Sequence, residues 1–166
     1  RVPNARIPVH KMAKVWQAAV EHTGDPCVAL RLTRFFQPNI YSAVGLSIAS
    51  SRSIGEGLRR CLRFYQLTTD AAVLSLENSQ DEQSLVITIP SENEPVAGEA
   101  IEAFCATMLV LFRTMLDDSF APKVVNFQHS KDADTQGFDD FFLCEVRFSQ
   151  PRTEMIFDSK QLEQEQ

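Results

Sequence analysis

The segment from Ser51 to Tyr65 constrains the fold most, because it carries both a helix start signal and the period of a half-buried helix. Ser53 and Glu56 have the spacing of a capping box, in which the serine hydroxyl accepts a backbone N–H and the glutamate reaches back. Apolar side chains then recur at i, i+4 and i+7, and the basic side chains fall on the other side. The two faces are Leu58, Cys61, Leu62 and Tyr65 against Arg59, Arg60 and Arg63. This pattern predicts a capped amphipathic helix. Gly55 and Gly57 each cost it about 1 kcal/mol relative to alanine, which favours close packing of a neighbour there.

A longer helix is predicted near the start of the chain. Pro8 suits a first helical turn, and Gly24 ends the helix. The apolar positions between them have helical spacing: Met12, Val15, Trp16 and Ala19. Trp16 lies on this stripe, and we expect it to anchor the core because a buried Trp removes a large apolar area from water.

Two less regular segments follow. Asp25 as N-cap and Pro26 as first helical residue predict a shorter helix through about Phe35. The small residues of Tyr41–Ser50 have a period that is ambiguous between strand and helix. A helix is favoured there, because the capped helix follows so closely.

The second half of the chain reads as strands around one long helix. A β-hairpin is predicted from about Ala71 to Ile89, and Ala97–Leu116 is the longest helix, apolar on more than one face. The remaining predicted elements are a strand at Val124–Phe127, a short aromatic helix around Phe138–Phe142, and strands at Val146–Phe148 and Met155–Phe157. The predicted fold class is α/β of the α+β kind, a single domain in which an antiparallel sheet is flanked by helices and the N-terminal part is helical.

Composition excludes several classes of protein. The 166 residues fit one domain, and a net charge of −6 should repel a polyanion such as DNA. The four cysteines, Cys27, Cys61, Cys105 and Cys144, lack metal-ligand spacing, so buried reduced thiols and a cytoplasmic location are expected over a disulfide. No stretch is long and apolar enough for a membrane span.

Motifs for catalysis or metal binding are missing from the sequence, so neither an enzyme nor a cofactor is expected. His10, His22 and His129 are isolated and are interpreted as structural or solvated. The carboxylates Asp132, Asp134, Asp139 and Asp140 lack the pattern of a calcium loop and are interpreted as a solvated acidic loop. Arg59, Arg60 and Arg63 fit either a solvated helix face or, less well, an anion site.

The aromatic and sulfur-containing side chains of the second half of the chain are the remaining candidates for a binding site. Six of them come from the long helix, a strand and the aromatic helix, and such groups can line an apolar pocket: Phe104, Cys105, Met108, Phe127, Phe141 and Phe142. A filled hydrophobic core explains each of them as well. The sequence does not separate the two readings.

An ordered set of short motifs carries a family resemblance. It consists of Arg6-Ile7-Pro8 leading to Trp16, Thr23–Pro26 with Leu30–Leu32, Gly45, Ile54–Leu58 after Ser51, and Arg63–Tyr65. This set resembles the N-terminal, arabinose-binding-like effector domain of AraC-type bacterial transcription regulators. The chain departs from the family's usual Thr-Leu at Ser53-Ile54 and from its usual alanine at Gly57.

The resemblance implies a regulatory role. Residues 1–158 would form an effector-sensing and oligomerisation domain, and residues 159–166 would start the linker toward a helix-turn-helix DNA-binding domain that is absent from this chain. The implied partners are an unknown small-molecule effector, a second copy of the chain in a homodimer, and operator DNA only through the absent C-terminal domain, with no membrane. The alternative is a dimerisation or protein-interaction module that controls the DNA reader without a small ligand.

Overall fold

The computed structural model describes residues 9–35, 50–68, 72–90 and 96–163. The helices among them are α1 Val9–Thr23, α2 Val28–Leu32, α3 Ile54–Thr68, α4 Gly98–Met115, α5 Gln136–Phe142 and α6 Ser159–Glu163. The strands are β1 Val73–Asn78, β2 Glu82–Thr88, β3 Val124–Asn126, β4 Glu145–Arg147 and β5 Thr153–Asp158. The predicted α+β fold class is therefore confirmed.

The strands form one sheet in the order β1-β2-β5-β3-β4. Neighbours pair antiparallel except β3 and β4, which run parallel with Val125 opposite Val146. The sheet is thus mostly antiparallel. The long helix α4 packs on it, with the ring of Phe112 edge-on to that of Phe157 in β5 at a centroid distance of 5.9 Å.

The capping box at the start of α3 forms as predicted, with one difference in detail. The Ser53 hydroxyl accepts the amide of Glu56 at 3.2 Å. The carboxylate of Glu56 accepts the amide of Arg52 at 3.0 Å, one residue earlier than the expected Ser53 amide. Leu58 is fully buried and Arg59 is exposed, so the two predicted faces of the helix are also confirmed.

The N-terminal helices depart from two expectations. Gly24 ends α1 in the left-handed region at φ +62° as predicted, but Trp16 is only half-buried and lies outside the core, and Val15 beside it is 58% exposed. The prediction that Trp16 anchors the core is therefore wrong, because the apolar stripe of α1 packs at the periphery of the described helices. The second helix is shorter than predicted and ends in a 3₁₀ turn, Thr33–Phe35.

Three further predictions concern the segment Tyr41–Ser50, the start of the linker and the cysteines. The predicted helix at Tyr41–Ser50 lies outside the described residues except for Ser50. The residues predicted to start a linker begin with α6, in which Leu162 is fully buried. All four cysteines are free thiols, with Cys61 and Cys105 buried as expected and the other two partly exposed.

Arg113, near the end of α4, ties three segments together. Its Nε donates to the carbonyl of Phe120 and its guanidinium NH1 donates to the carbonyl of Phe141, both at 2.9 Å. The Phe141 carbonyl belongs to the last turn of α5, after which Leu143 adopts a left-handed φ of 58°. Burial lowers the pKa of Arg113, yet its bonds satisfy carbonyls that the helix end leaves unpaired.

Candidate functional site

A partly enclosed apolar pocket of about 220 Å³ lies where α3, the end of β2 and the start of α4 meet. We call it the α3–α4 pocket. Its described lining residues are Tyr65, Ala72, Ile87, Ile89, Val96, Ala100, Ile101 and Phe104. The phenol of Tyr65 is the one polar side-chain group among them, so the pocket favours a small and mainly apolar molecule.

Two aromatic rings from different helices meet at this pocket. Tyr65 of α3 and Phe104 of α4 pack edge-on with a centroid distance of 5.5 Å. Burial raises the pKa of the Tyr65 phenol, so the ring stays neutral. A molecule that enters the pocket therefore contacts both helices at once.

A more open groove of about 360 Å³ runs between α2, α4 and α5. We call it the α2 groove, and its described lining residues are Cys27, Leu30, Arg31, Thr33, Arg34, Val110, Gly137 and Phe141. Its basic side chains are already engaged: Arg31 forms an ion pair with Asp25, and the Arg34 guanidinium lies 4.8 Å above the ring of Phe35. The groove is larger than the pocket, but its lining mixes apolar, polar and basic side chains and therefore favours no single class of ligand.

The six predicted pocket residues do not form one cluster around one cavity. Phe104 lines the α3–α4 pocket and Phe141 lines the α2 groove. The other four, Cys105, Met108, Phe127 and Phe142, lie in the buried core. The rings of Phe127 and Phe142 pack edge-on at 6.4 Å. A role of any of the six in effector binding stays a prediction.

A buried polar cluster escaped the sequence analysis. Glu102 of α4 is completely buried, and Lys131 Nζ donates to its two carboxylate oxygens at 2.7 and 2.9 Å. His129 Nε2 lies 2.9 Å from one of the same oxygens. His129, interpreted as structural or solvated, is therefore structural, and its partner is a carboxylate 27 residues away in sequence that no local motif indicated. The cluster ties the first turns of α4 to the segment after β3.

Two neighbouring residues, Gly98 and Phe138, accommodate the side chains of this cluster. A Cβ at Gly98 would lie 2.5 Å from the His129 ring, so only a glycine lets the ring reach Glu102 one turn further along α4. The Lys131 ammonium also lies 4.8 Å above the ring of Phe138, a cation–π contact. A sequence signal existed: Glu102 is a charged residue on a helix that is apolar on most faces, and such a residue needs a buried partner.

The described residues hold no cluster of His, Cys, Asp or Glu that fits a metal ion. In the acidic loop, Asp139 accepts the amide of Val146 at 2.8 Å and Asp134 accepts the amide of Gln136 at 3.0 Å. These two carboxylates therefore accept hydrogen bonds from nearby backbone amides. No helix in the described part of the chain is long and apolar enough to cross a membrane.

The basic face of α3 is partly used inside the chain. Arg60 pairs with Glu56 one turn earlier at 2.6 Å, and Arg63 is exposed. Arg59 holds both carboxylate oxygens of Glu163 in α6, at 2.9 and 3.2 Å. Hydrogen bonds from Arg59 and Gln83 lower the pKa of Glu163. One arginine of the face thus does bind a carboxylate, but that carboxylate belongs to the chain itself.

The comparisons with known proteins settle the family. The model of the arabinose-binding domain of AraC transcription regulators, an N-terminal domain, matches residues 1–166. The chain belongs to this family. It is therefore an N-terminal regulatory domain of an AraC-type transcription regulator, from a family of regulator domains and not of enzymes. The implied kind of partner is a small effector molecule.

Structural comparison agrees at the level of the fold. The crystal structure of the transcriptional regulator CdpR from Pseudomonas aeruginosa is similar with a TM-score of 0.69 and 15% sequence identity. The match covers 98% of this chain and 58% of that chain, so the chain spans little more than half of the regulator it resembles. Comparison with curated proteins gives no match.

Proposed function

We propose that this AraC-family domain senses a small, mainly apolar effector in the α3–α4 pocket and biases an attached helix-turn-helix reader between two DNA-binding states. The observation that carries the proposal is the pocket itself, an apolar site walled by two helices in a domain whose family binds effectors. Its volume of about 220 Å³ is below the roughly 300 Å³ at which pockets for drug-sized ligands begin, so the proposed effector is no larger than a single ring or a short branched chain.

The mechanism is a population shift. An effector changes the balance of two arrangements only by the difference between its affinities for them. Moving a two-state equilibrium from about 1:99 to about 99:1 requires roughly 5.5 kcal/mol of such difference. Burying about 150 Å² of apolar ligand surface gives on the order of 4 kcal/mol before binding costs are subtracted. A mainly apolar effector of this size therefore supports a partial shift, of the size usual for allosteric coupling.

The α3–α4 pocket is the better candidate than the α2 groove on chemical grounds. The groove presents arginines that are already paired or stacked, so an anionic ligand would compete with Asp25 for Arg31. The pocket presents apolar walls and the phenol of Tyr65, so a neutral ligand enters it without displacing an ion pair such as Arg31 with Asp25. Phe104, a residue predicted from sequence, also lies there.

The proposal is tested by thermal unfolding of the domain with a panel of small neutral aromatic and branched aliphatic metabolites. A ligand at about 100 times its Kd adds roughly 2.7 kcal/mol of stability, which raises Tm by about 5 to 10 °C in a domain of this size. Ala100→Leu fills the pocket and should abolish the shift. Val110→Met narrows the α2 groove and is the matched control that should retain it. Loss of the shift in Val110→Met alone would move the site to the groove.

A second candidate function, dimerisation without a ligand, is favoured by exposed apolar side chains. Val15, Leu32 and Phe35 are 58%, 42% and 65% exposed. Sedimentation equilibrium of the wild type and of Val15→Lys distinguishes the two functions. A dimer that this substitution dissociates, together with no thermal shift by any compound of the panel, would favour the interaction module.

A further inference from the structure

The last described helix, α6, is fastened to the first turns of α3. Arg59 donates from both guanidinium NH groups to the Glu163 carboxylate, and Gln83 Nε2 of β2 donates to the same carboxylate at 3.0 Å. The Ser53 hydroxyl, which caps α3, lies 3.5 Å from the second oxygen. Leu162 beside it is completely buried. We call Leu162 and Glu163 with these partners the Glu163 latch.

The sequence of α3 leaves room for this latch. A Cβ at Gly55 would lie 2.6 Å from Glu163 Oε1 and 3.2 Å from the carbonyl oxygen of Leu162. Glycine is less favourable than alanine inside a helix, so its presence here has a packing explanation. The close neighbour that the glycine content of this helix predicts is therefore α6.

The beginning of α6 is fastened as well. The amide of Ser159 donates to the carbonyl of Asp81 in the turn between β1 and β2 at 2.9 Å. The amide of Lys160 donates to the Asp158 carboxylate at 2.8 Å. Opening the latch therefore releases the C-terminal end of α6 while its start stays on the hairpin.

One rigid element connects the latch with the α3–α4 pocket. Gly55 and Arg59 lie in the first turns of α3, and Tyr65 lies in its last turns at the pocket wall. At about 1.5 Å per residue, the ten steps from Gly55 to Tyr65 span about 15 Å. A helix of this length moves as a rod, so a shift of its Tyr65 end displaces the groups that hold Glu163.

The ion pair of the latch is weak enough to respond, while Leu162 beside it stays in the buried core. The side chains of Arg59 and Glu163 are 45% and 43% exposed, and ion pairs with that exposure contribute little to stability. A displacement of α3 by less than one ångström lengthens two charge-assisted bonds together, because both reach the same guanidinium.

We infer that α3 transmits occupancy of the α3–α4 pocket to the Glu163 latch, so that effector binding sets whether α6 and the chain beyond it are held on the domain. This inference rests on the proposed function for its ligand. The mechanical link between pocket and latch is tested without one.

The test measures tryptic cleavage after Lys160, an exposed residue of α6, on the folded chain. Arg59→Gln breaks the latch from α3 and leaves the cleaved peptide unchanged, and we expect cleavage about five-fold faster. Arg147→Gln is the matched control: it breaks an ion pair with Glu145 of similar exposure, 47% and 61%, and should change the rate less than two-fold. Cleavage after Lys123, exposed in the loop before β3, serves as the internal reference.

The link from the pocket is tested by Phe104→Leu, which removes the ring packed on Tyr65. We expect it to speed cleavage after Lys160 several-fold relative to Lys123. Combined with Arg59→Gln, it should add nothing, because the latch is already open. An unchanged rate in Arg59→Gln, or effects of the two substitutions that multiply, would overturn the inference. The proposed function is judged separately by the thermal shifts of Ala100→Leu, so the two can fail independently.

Discussion

Replacing Lys131 by methionine should destabilise the domain strongly. The Lys131 side chain is 9% exposed and Glu102 is completely buried, so the substitution leaves a buried carboxylate with His129 as its remaining partner. Breaking a buried pair by removing one partner costs about 3 to 5 kcal/mol. Methionine keeps the apolar stem, but the cation–π contact with Phe138 is lost as well. We expect a loss of about 3 kcal/mol.

A second substitution separates lost attraction from stranded charge. Glu102→Gln keeps the shape of the side chain and removes its charge, so the double variant with Lys131→Met buries no unpaired ion. We expect the double variant to be more stable than Lys131→Met alone, by on the order of 2 kcal/mol. The two substitutions should therefore be far from additive.

Urea unfolding followed by far-ultraviolet circular dichroism measures these differences at constant m-value. Lys123→Met is the matched control, because Lys123 pairs with Glu82 at the surface with 48% and 41% exposure and its loss should leave the urea midpoint almost unchanged. A cost below about 1 kcal/mol for Lys131→Met, or strict additivity with Glu102→Gln, would refute the electrostatic reasoning.

Four further outcomes are expected. Trp16→Ala should cost about 1 to 2 kcal/mol, below the roughly 3 to 5 of a core Trp, and a larger loss in urea unfolding would place the ring in the core. Gly55→Ala should raise stability by less than the roughly 1 kcal/mol that helix propensity alone would give, since its Cβ would lie 2.6 Å from Glu163 Oε1 and 3.2 Å from the Leu162 carbonyl oxygen; a gain of the full amount in urea unfolding would contradict this. Arg113→Met should lower stability by about 2 to 4 kcal/mol through unpaired buried carbonyls, and a neutral urea midpoint would contradict it. The pKa of Glu163 is lowered by Arg59, so its small contribution is complete above the ordinary carboxyl pKa and is lost as pH falls through the lowered value. The stability difference between wild type and Arg59→Gln should accordingly shrink as pH falls below the ordinary carboxyl pKa, and a difference that stays constant over that acid range would contradict it.

Local signals in the sequence predicted most of the helices and strands of the described residues. The capping box at Ser53 predicted the start of α3 correctly, because both of its partners lie within one helical turn. Gly24 predicted the end of α1 correctly, because a residue in the left-handed conformation ends a helix. The stripe that contains Trp16 identified the inner face of α1 only in part, because Met12, Trp16 and Ala19 are partly buried while Val15 is 58% exposed. It did not show that α1 packs at the periphery, because periodicity gives the direction of a face and not the depth of the layer behind it.

The candidate site depends on contacts that sequence patterns do not contain. Glu102 and His129 meet across 27 positions, and Arg59 and Glu163 across 104. Phe104 and Cys105 are neighbours in sequence and lie on different sides of α4. Phe104 lines a pocket, and Cys105 is completely buried. Whether an apolar side chain borders a cavity or fills the core is decided by the packing of several elements together.

The distribution of polar ties over the two long helices indicates which of them moves. Helix α4 is held near its start by the Glu102 cluster, whose ion pair is 9% and 0% exposed, and near its end by Arg113, which donates to two loop and helix carbonyls. Breaking either tie leaves buried polar groups unpaired and is costly. Helix α3 is held at its start by an ion pair about half exposed to water, whose rupture costs little because solvent replaces it. Because α4 is held more strongly than α3, we expect a ligand between the two helices to displace α3 while α4 stays on the sheet. Glu163 is held at the end of α3 that lies away from the pocket.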